Sequence, residues 1–343
     1  MKAFNYIILF FIVASCQKPY DTKLGQENSN QDVWLVPENK VLYQDSEKDR
    51  IQSIDDPHFI SVNESNLKPD EMVLVTKHNE VTKIYPVSVL AAHEIVNDSV
   101  GNNYYSLTYC PLTESGIIWN REINGEIMTF GVSGMLYNEN LMPYDRATES
   151  IWSQMGTKCV NGKLIGLVPE TYSLLETKFS TIQYSYPDAL VLSHANCDSI
   201  SCGRSGNLKK EPLDDETFIL PSDQDFFGFI RNDNLLLFNL ALFTEETQVI
   251  TAHFQGASLI VCGNQELHFY TAFLKNQNNN HFIFEAVQNE FPIVMTDNTG
   301  NKYDVFGYVI EGPDRGFHLE KANAYLARTF AWELFFKNIK LYE

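Results

Sequence analysis

The chain has 343 residues, 44% of them hydrophobic and 13% aromatic, with a formal net charge of −19. That apolar content suffices for a sizeable core, and the acidic balance argues against nucleic acid and anionic lipid as partners. No apolar run reaches the ~18 residues a bilayer-spanning segment needs.

In chain order, Lys2 and the short apolar run Tyr6 to Val13 read as a signal peptide, closed by Val13-Ala14-Ser15-Cys16. An ordinary cleaved leader with a chance cysteine is one reading. The small-residue ending before a cysteine resembles a bacterial lipobox, which makes residues 1–15 the signal and Cys16 the lipidated first residue. Gln17 rather than Asp then favours the outer membrane, so the expected location is the cell envelope, with the membrane engaged through an N-terminal lipid. Residues 16–40 begin as a polar stretch rich in Gln, Asn and Asp and read as a tether.

The first strands are expected at Met72 to Val75 and Val81 to Tyr85, flanking the polar turn His78-Asn79-Glu80. Pro86 and Ser88 open a helical stretch predicted from Val87 to about Asn97. Ile117 to Ile123 and Glu126 to Val132 flank Asn124-Gly125, a strong hairpin signal, and Asn161-Gly162 marks a second hairpin. Helical patterns follow at Thr171 to Phe179 and Lys321 to Asn338. The expected class is α+β, mainly antiparallel β.

Laid against itself, the chain repeats weakly at a nearly constant offset. Val73-Leu74-Val75 meets Phe226-Phe227-Gly228, Ser106 to Cys110 meets Ser258 to Cys262, Asp145 meets Asp297, and Gly162 meets Gly312. The order of these matches predicts two weakly similar tandem lobes, 41–195 and 216–343, each closing with a helix and joined by a linker at 196–215. In the oxidising envelope, Cys197 and Cys202 are placed for a local disulfide. Cys110 is the candidate free thiol, although its counterpart Cys262 favours a buried structural role.

The chemistry-bearing segment runs from His93 to Cys110. With residues 87–97 helical, His93 and Asn97 share one face, and Glu94 and Asp98 the adjoining one. His93, Asp98 and Cys110 could then converge on a transition metal such as zinc or copper, although the spacing matches no zinc signature. Matched at the repeat offset, His93 to Asp98 falls on Glu246 to Thr251, so the polar cluster belongs to the first lobe alone. Arg146, which meets Asn298, is a further candidate for catalysis or ligand binding, with a salt bridge as its alternative.

Ordered motifs carry a family resemblance: Asp49 to Phe59, Tyr85-Pro86, His93 to Asp98, Tyr109-Cys110-Pro111-Leu112, Thr129 to Tyr137 and Tyr144 to Gln154. Together they resemble the bacterial and archaeal family called domain of unknown function 3179, from about Asp49 to Ser193, with an echo at Phe330-Ala331-Trp332. The resemblance implies no activity. The family pattern carries a second cysteine where this chain has Thr113, which weakens a dithiol or soft-metal reading. Three readings stay open: an envelope lipoprotein binding a metal or small ligand at the first lobe, a Cys110/His93-dependent enzyme, and a structural or interaction lipoprotein.

Overall fold

A computed structural model describes residues 33–43, 48–193, 219–276 and 281–343. Cys16, Cys197 and Cys202, and with them the lipidation and disulfide expectations, lie outside the described residues. The described chain is built mainly on antiparallel sheets with three short helices, α1 (Val87–His93), α2 (Phe179–Gln183) and α3 (Thr329–Phe335). The α+β, mainly-β class follows.

Three sheets of residues 41–192 have counterparts of like strand order in residues 226–341. The first, a platform, runs Leu175–Lys178, Met72–His78, Val81–Pro86, Leu190–Leu192 and Phe59–Ser61, with one parallel pair between the third and fourth strands. Its counterpart runs Ala324–Ala327, Phe226–Arg231, Asn234–Asn239 and Asn338–Leu341, parallel at the same place. A three-stranded hairpin sheet follows, Ile95–Val100, Asn103–Cys110 and Ser115–Asn120, matched by Gln248–Phe254, Ala257–Asn264 and Phe269–Lys275. End sheets built on Phe130–Tyr137 and on Phe284–Ala286 complete each half.

The halves do not keep separate cores. One face of the first platform packs on its own hairpin sheet, Leu74 and Tyr85 against Tyr105 and Leu107. Its other face, with Val73, Val75 and Ile84, packs on Ile260, Cys262, Phe269 and Phe273 of the second half. The second platform does the reverse: Phe227 and Phe238 meet Leu259 and Val261, while Phe226, Leu235 and Leu237 meet Cys110, Ile117 and Trp119 of the first half. Each hairpin sheet is therefore shared between both platforms. Cys110 and Cys262 each sit in one of these shared cores, but the ladders align Cys262 with Thr108, which corrects the sequence pairing of the two cysteines.

Several local expectations need correction. Helix α1 stops at His93 because Glu94 adopts a left-handed φ of 59° and its N–H closes on the Leu90 carbonyl. The β-branched pair Ile95-Val96 then continues as strand. The pattern expected as helix at Thr171 to Phe179 contains the strand Leu175–Lys178, and α2 begins only at Phe179. Lys321 to Asn338 likewise divides into strand, α3 and strand. The counterpart of α1 is a single 3-10 turn, Leu240–Leu242. Asn161-Gly162 is not a hairpin turn; Gly162 (φ 98°) follows a strand where a Cβ would collide with Ser150. Asn124-Gly125 does turn a two-residue ribbon, both residues at positive φ as a type I′ turn requires.

Candidate functional site

The structure distributes the sequence-selected residues over both faces of the strand Ile95–Val100. Alternation sends Ile95 and Asn97 to one side, Val96 and Asp98 to the other. Asn97 donates to the Asp55 carboxylate (2.7 Å) and the Phe130 carbonyl (2.8 Å) and accepts from the Phe130 N–H (3.0 Å). Arg146 donates to Asp55 (2.6 Å), to Asp49 (2.9 Å) and to the Ser53 hydroxyl (3.0 Å). His93 Nδ1 lies 2.7 Å from the Gln52 carbonyl. His93, Asn97 and Arg146 thus converge on one segment, residues 49–55, and pin it beside the hairpin sheet, where Ile54 bridges to Val96. The salt-bridge alternative for Arg146 is the arrangement found.

The metal set His93, Asp98 and Cys110 is not brought together. With α1 ending at His93, the assumed helical face does not exist, and Asp98 points away from Cys110. Among the described residues, no group of three or more His, Cys, Asp or Glu side chains is placed to hold a metal ion. The Cys110 thiol is 1% exposed, and burial pushes its pKa up against hydrogen bonding from Thr113. Thr113, the departure from the family pattern, sits in a buried polar knot with Ser115, Asn140 and Gln154.

Asp98 instead anchors a buried network that sequence reasoning missed. Lys83 Nζ donates to both Asp98 carboxylate oxygens (2.8 Å each) and to the Ser99 carbonyl (3.0 Å). The Tyr85 and Tyr105 hydroxyls donate to Oδ2 at 2.6 and 3.2 Å. Phe59 lies under the ammonium, and His78 stacks on Tyr105 at 4.9 Å. Burial first, and then the Lys83 charge, lower the His78 pKa to about 4, so its ring is neutral at pH 7. The available signal was a lysine and a tyrosine two residues apart on one face of an otherwise apolar strand.

The second half solves the same packing problem without charge. The ladders align Lys83 with Leu236, Tyr85 with Phe238, Asp98 with Ala252 and Tyr105 with Leu259. This register also corrects the sequence pairing of Asp98 with Thr251. Every one of these counterparts is apolar and buried.

At the opposite end of the same inter-sheet layer, the Tyr109-Cys110-Pro111-Leu112-Thr113 turn meets a group of polar side chains that are only partly hydrogen-bonded. Tyr109 is 6% exposed, and no hydrogen bond reaches its hydroxyl among the described residues. Burial and then the fields of Glu176 and Glu114 raise its pKa. Glu176, which pairs in the ladder with Leu74, keeps some exposed surface, yet burial and then Glu114 push its carboxyl up to about 7. Arg328 from the second half ion-pairs with Glu114 and donates its backbone N–H to the Thr113 carbonyl. Its Nε has no acceptor among the described residues. Glu94 stands behind the turn near Cys110, its carboxyl raised to about 7 by burial. Counterparts in the second half carry no polar side chain: Gly263 for Tyr109 and Leu326 for Glu176.

A profile of the family described as "protein of unknown function (DUF3179)" matches residues 48–339. The chain belongs to this family. The match covers both halves, well beyond the segment ending near Ser193 that the motifs alone suggest. Neither the curated proteins nor the solved structures yield a match.

Proposed function

We infer that this family member is a lipid-anchored protein of a bacterial cell envelope, held at the outer membrane through Cys16, that binds a small polar ligand at its first half. The ligand site is the mouth around Tyr109, Glu176, Glu114 and Arg328. One observation carries this reading: the Tyr109 hydroxyl and the Glu176 carboxyl make no protein hydrogen bond among the described residues, at places where the second half has Gly263 and Leu326. Arg328 Nε beside them is buried without an acceptor among the described residues, a state that costs about 1–3 kcal/mol and that a ligand acceptor would relieve. The ligand must supply donors to Glu176 and an acceptor to Arg328 Nε or Tyr109.

A metal ligand is disfavoured by the dispersal of His93, Asp98 and Cys110. A thiol nucleophile is disfavoured by the burial and raised pKa of Cys110, which suppress the reactive thiolate. The test is native mass spectrometry of full-length protein, purified in detergent without metal-affinity steps, beside elemental analysis. A retained organic species that is lost in Tyr109→Phe supports the reading. Near-stoichiometric metal, or bare polypeptide in every preparation, overturns it.

A further inference from the structure

The Lys83–Asp98 pair has features that an ordinary buried ion pair does not need. It joins two different sheets across the first half's core, Lys83 from the platform and Asp98 from the hairpin sheet. The ammonium is equidistant from both carboxylate oxygens at 2.8 Å and is held there by a third bond to the Ser99 carbonyl. The residues are 7% and 6% exposed, and the surroundings are aromatic: Phe59, Tyr85 and Tyr105. Two tyrosine hydroxyls aim at a single carboxylate oxygen, Oδ2. Stability alone does not account for the pair, since buried ion pairs are often no better than apolar replacements, and the second half uses Leu236 and Ala252 at the same places.

We propose that Lys83 and Asp98 condense after folding into an intramolecular amide, a covalent cross-link between the platform and the hairpin sheet. The pair is chemically complete for this step. One proton passes from the ammonium to the carboxylate, leaving a neutral amine facing a neutral acid in a site with little water. Nζ attacks Cγ, and the C–N bond forms. The tyrosine hydroxyls on Oδ2 stabilise the charge that develops on that oxygen, as oxyanion donors do. The C–Oδ1 bond breaks and Oδ1 leaves as water, carrying the transferred proton and the second proton released by Nζ. Ammonium and carboxylate become amide plus water, with no oxidant, activating group or outside proton. Fixed proximity replaces the activation that a bimolecular amide synthesis would need. Loss of the water from an apolar interior opposes the reverse reaction.

The test is peptide mapping of full-length protein. A branched peptide linking the segments of Lys83 and Asp98, one water lighter than their sum, with no tryptic cleavage after Lys83, is the expected result. Asp98→Asn provides a second route to the same product: it should release ammonia instead of water and yield a branched peptide of identical mass. Lys83→Met should release both linear peptides. Intact Lys83 and Asp98 peptides, cleaved normally after Lys83 in folded wild-type protein, overturn the proposal, whatever the variants do.

Discussion

The two halves have the same strand order in their platforms, hairpin sheets and end sheets, yet they fill the layer between platform and hairpin sheet differently. The second half fills it with Phe227, Phe229, Phe238, Leu259 and Val261. The first half sets Lys83, Tyr85, Asp98 and Tyr105 at one end of its layer and Tyr109 with Glu176 at the other. What recurs in both halves belongs to the architecture. Asp145 accepts from the N–H and hydroxyl of Thr148 and from Trp152 Nε1, and Asp297 does the same for Thr299 and takes Tyr303. Each shared core also holds a buried cysteine, Cys110 in one and Cys262 in the other. The polar residues of the inter-sheet layer do not recur, which separates them from what the fold demands.

The sharpest way to probe this difference is to convert the first half to the second half's solution. Asp98→Ala should destabilise by about 3–5 kcal/mol, because it leaves the Lys83 ammonium buried with only a carbonyl. Adding Lys83→Leu, the residue at the matching place, should recover much of that loss in urea unfolding. If the double variant is no more stable than Asp98→Ala, the two layers are not interchangeable.

Smaller effects compare the two shared cores. Cys262→Ser should cost about 1–3 kcal/mol for a buried hydroxyl with no close acceptor, since the Val294 carbonyl lies 3.9 Å from the thiol. Cys110→Ser should cost less, with Thr113 and the Glu139 carbonyl (3.6 Å) nearby. Thermal unfolding of the two variants side by side decides the order.

A pH series reads the carboxyls near the turn. Folded Glu94 and Glu176 hold their protons up to about 7, against an ordinary value of 4.5. Between those values the folded state binds more protons than the unfolded chain. Their contribution is therefore fully present below 4.5 and is lost as pH rises toward 7. Denaturation at stepped pH should show this decline, and Glu176→Gln should flatten part of it; an unchanged slope would remove Glu176 as a source. At the low end of the scale, Lys302→Ala, which removes exposed pairs to Glu290 and Glu311, should leave the thermal unfolding midpoint nearly unchanged.

Much of the fold was legible in local pattern. Alternation gave the strands around His78-Asn79-Glu80, Asn124-Gly125 gave its turn, and the repeated Asp position pointed to a structural role. The helix at 87–97 was overlong because propensity cannot foresee a glutamate taking the left-handed position that ends it. The candidate site was only partly legible. His93, Asn97 and Arg146 do meet, but around residues 49–55, as fasteners of a segment far away in sequence. Lys83, Tyr105 and Glu176 escaped notice because each looks ordinary in its own strand. Only the pairing of separate sheets, and the contrast with Leu236, Leu259 and Leu326, sets them apart.

The most direct test of the central claim, that the first half's polar mouth serves a ligand and not the fold, is Glu176→Leu, which copies Leu326. Unfolding free energy and retained small molecule should be measured on the same full-length preparation. The account predicts stability equal to or above wild type, with the bound species lost. A destabilised protein that keeps an unchanged bound species, or a pair of preparations that both carry none, would contradict it.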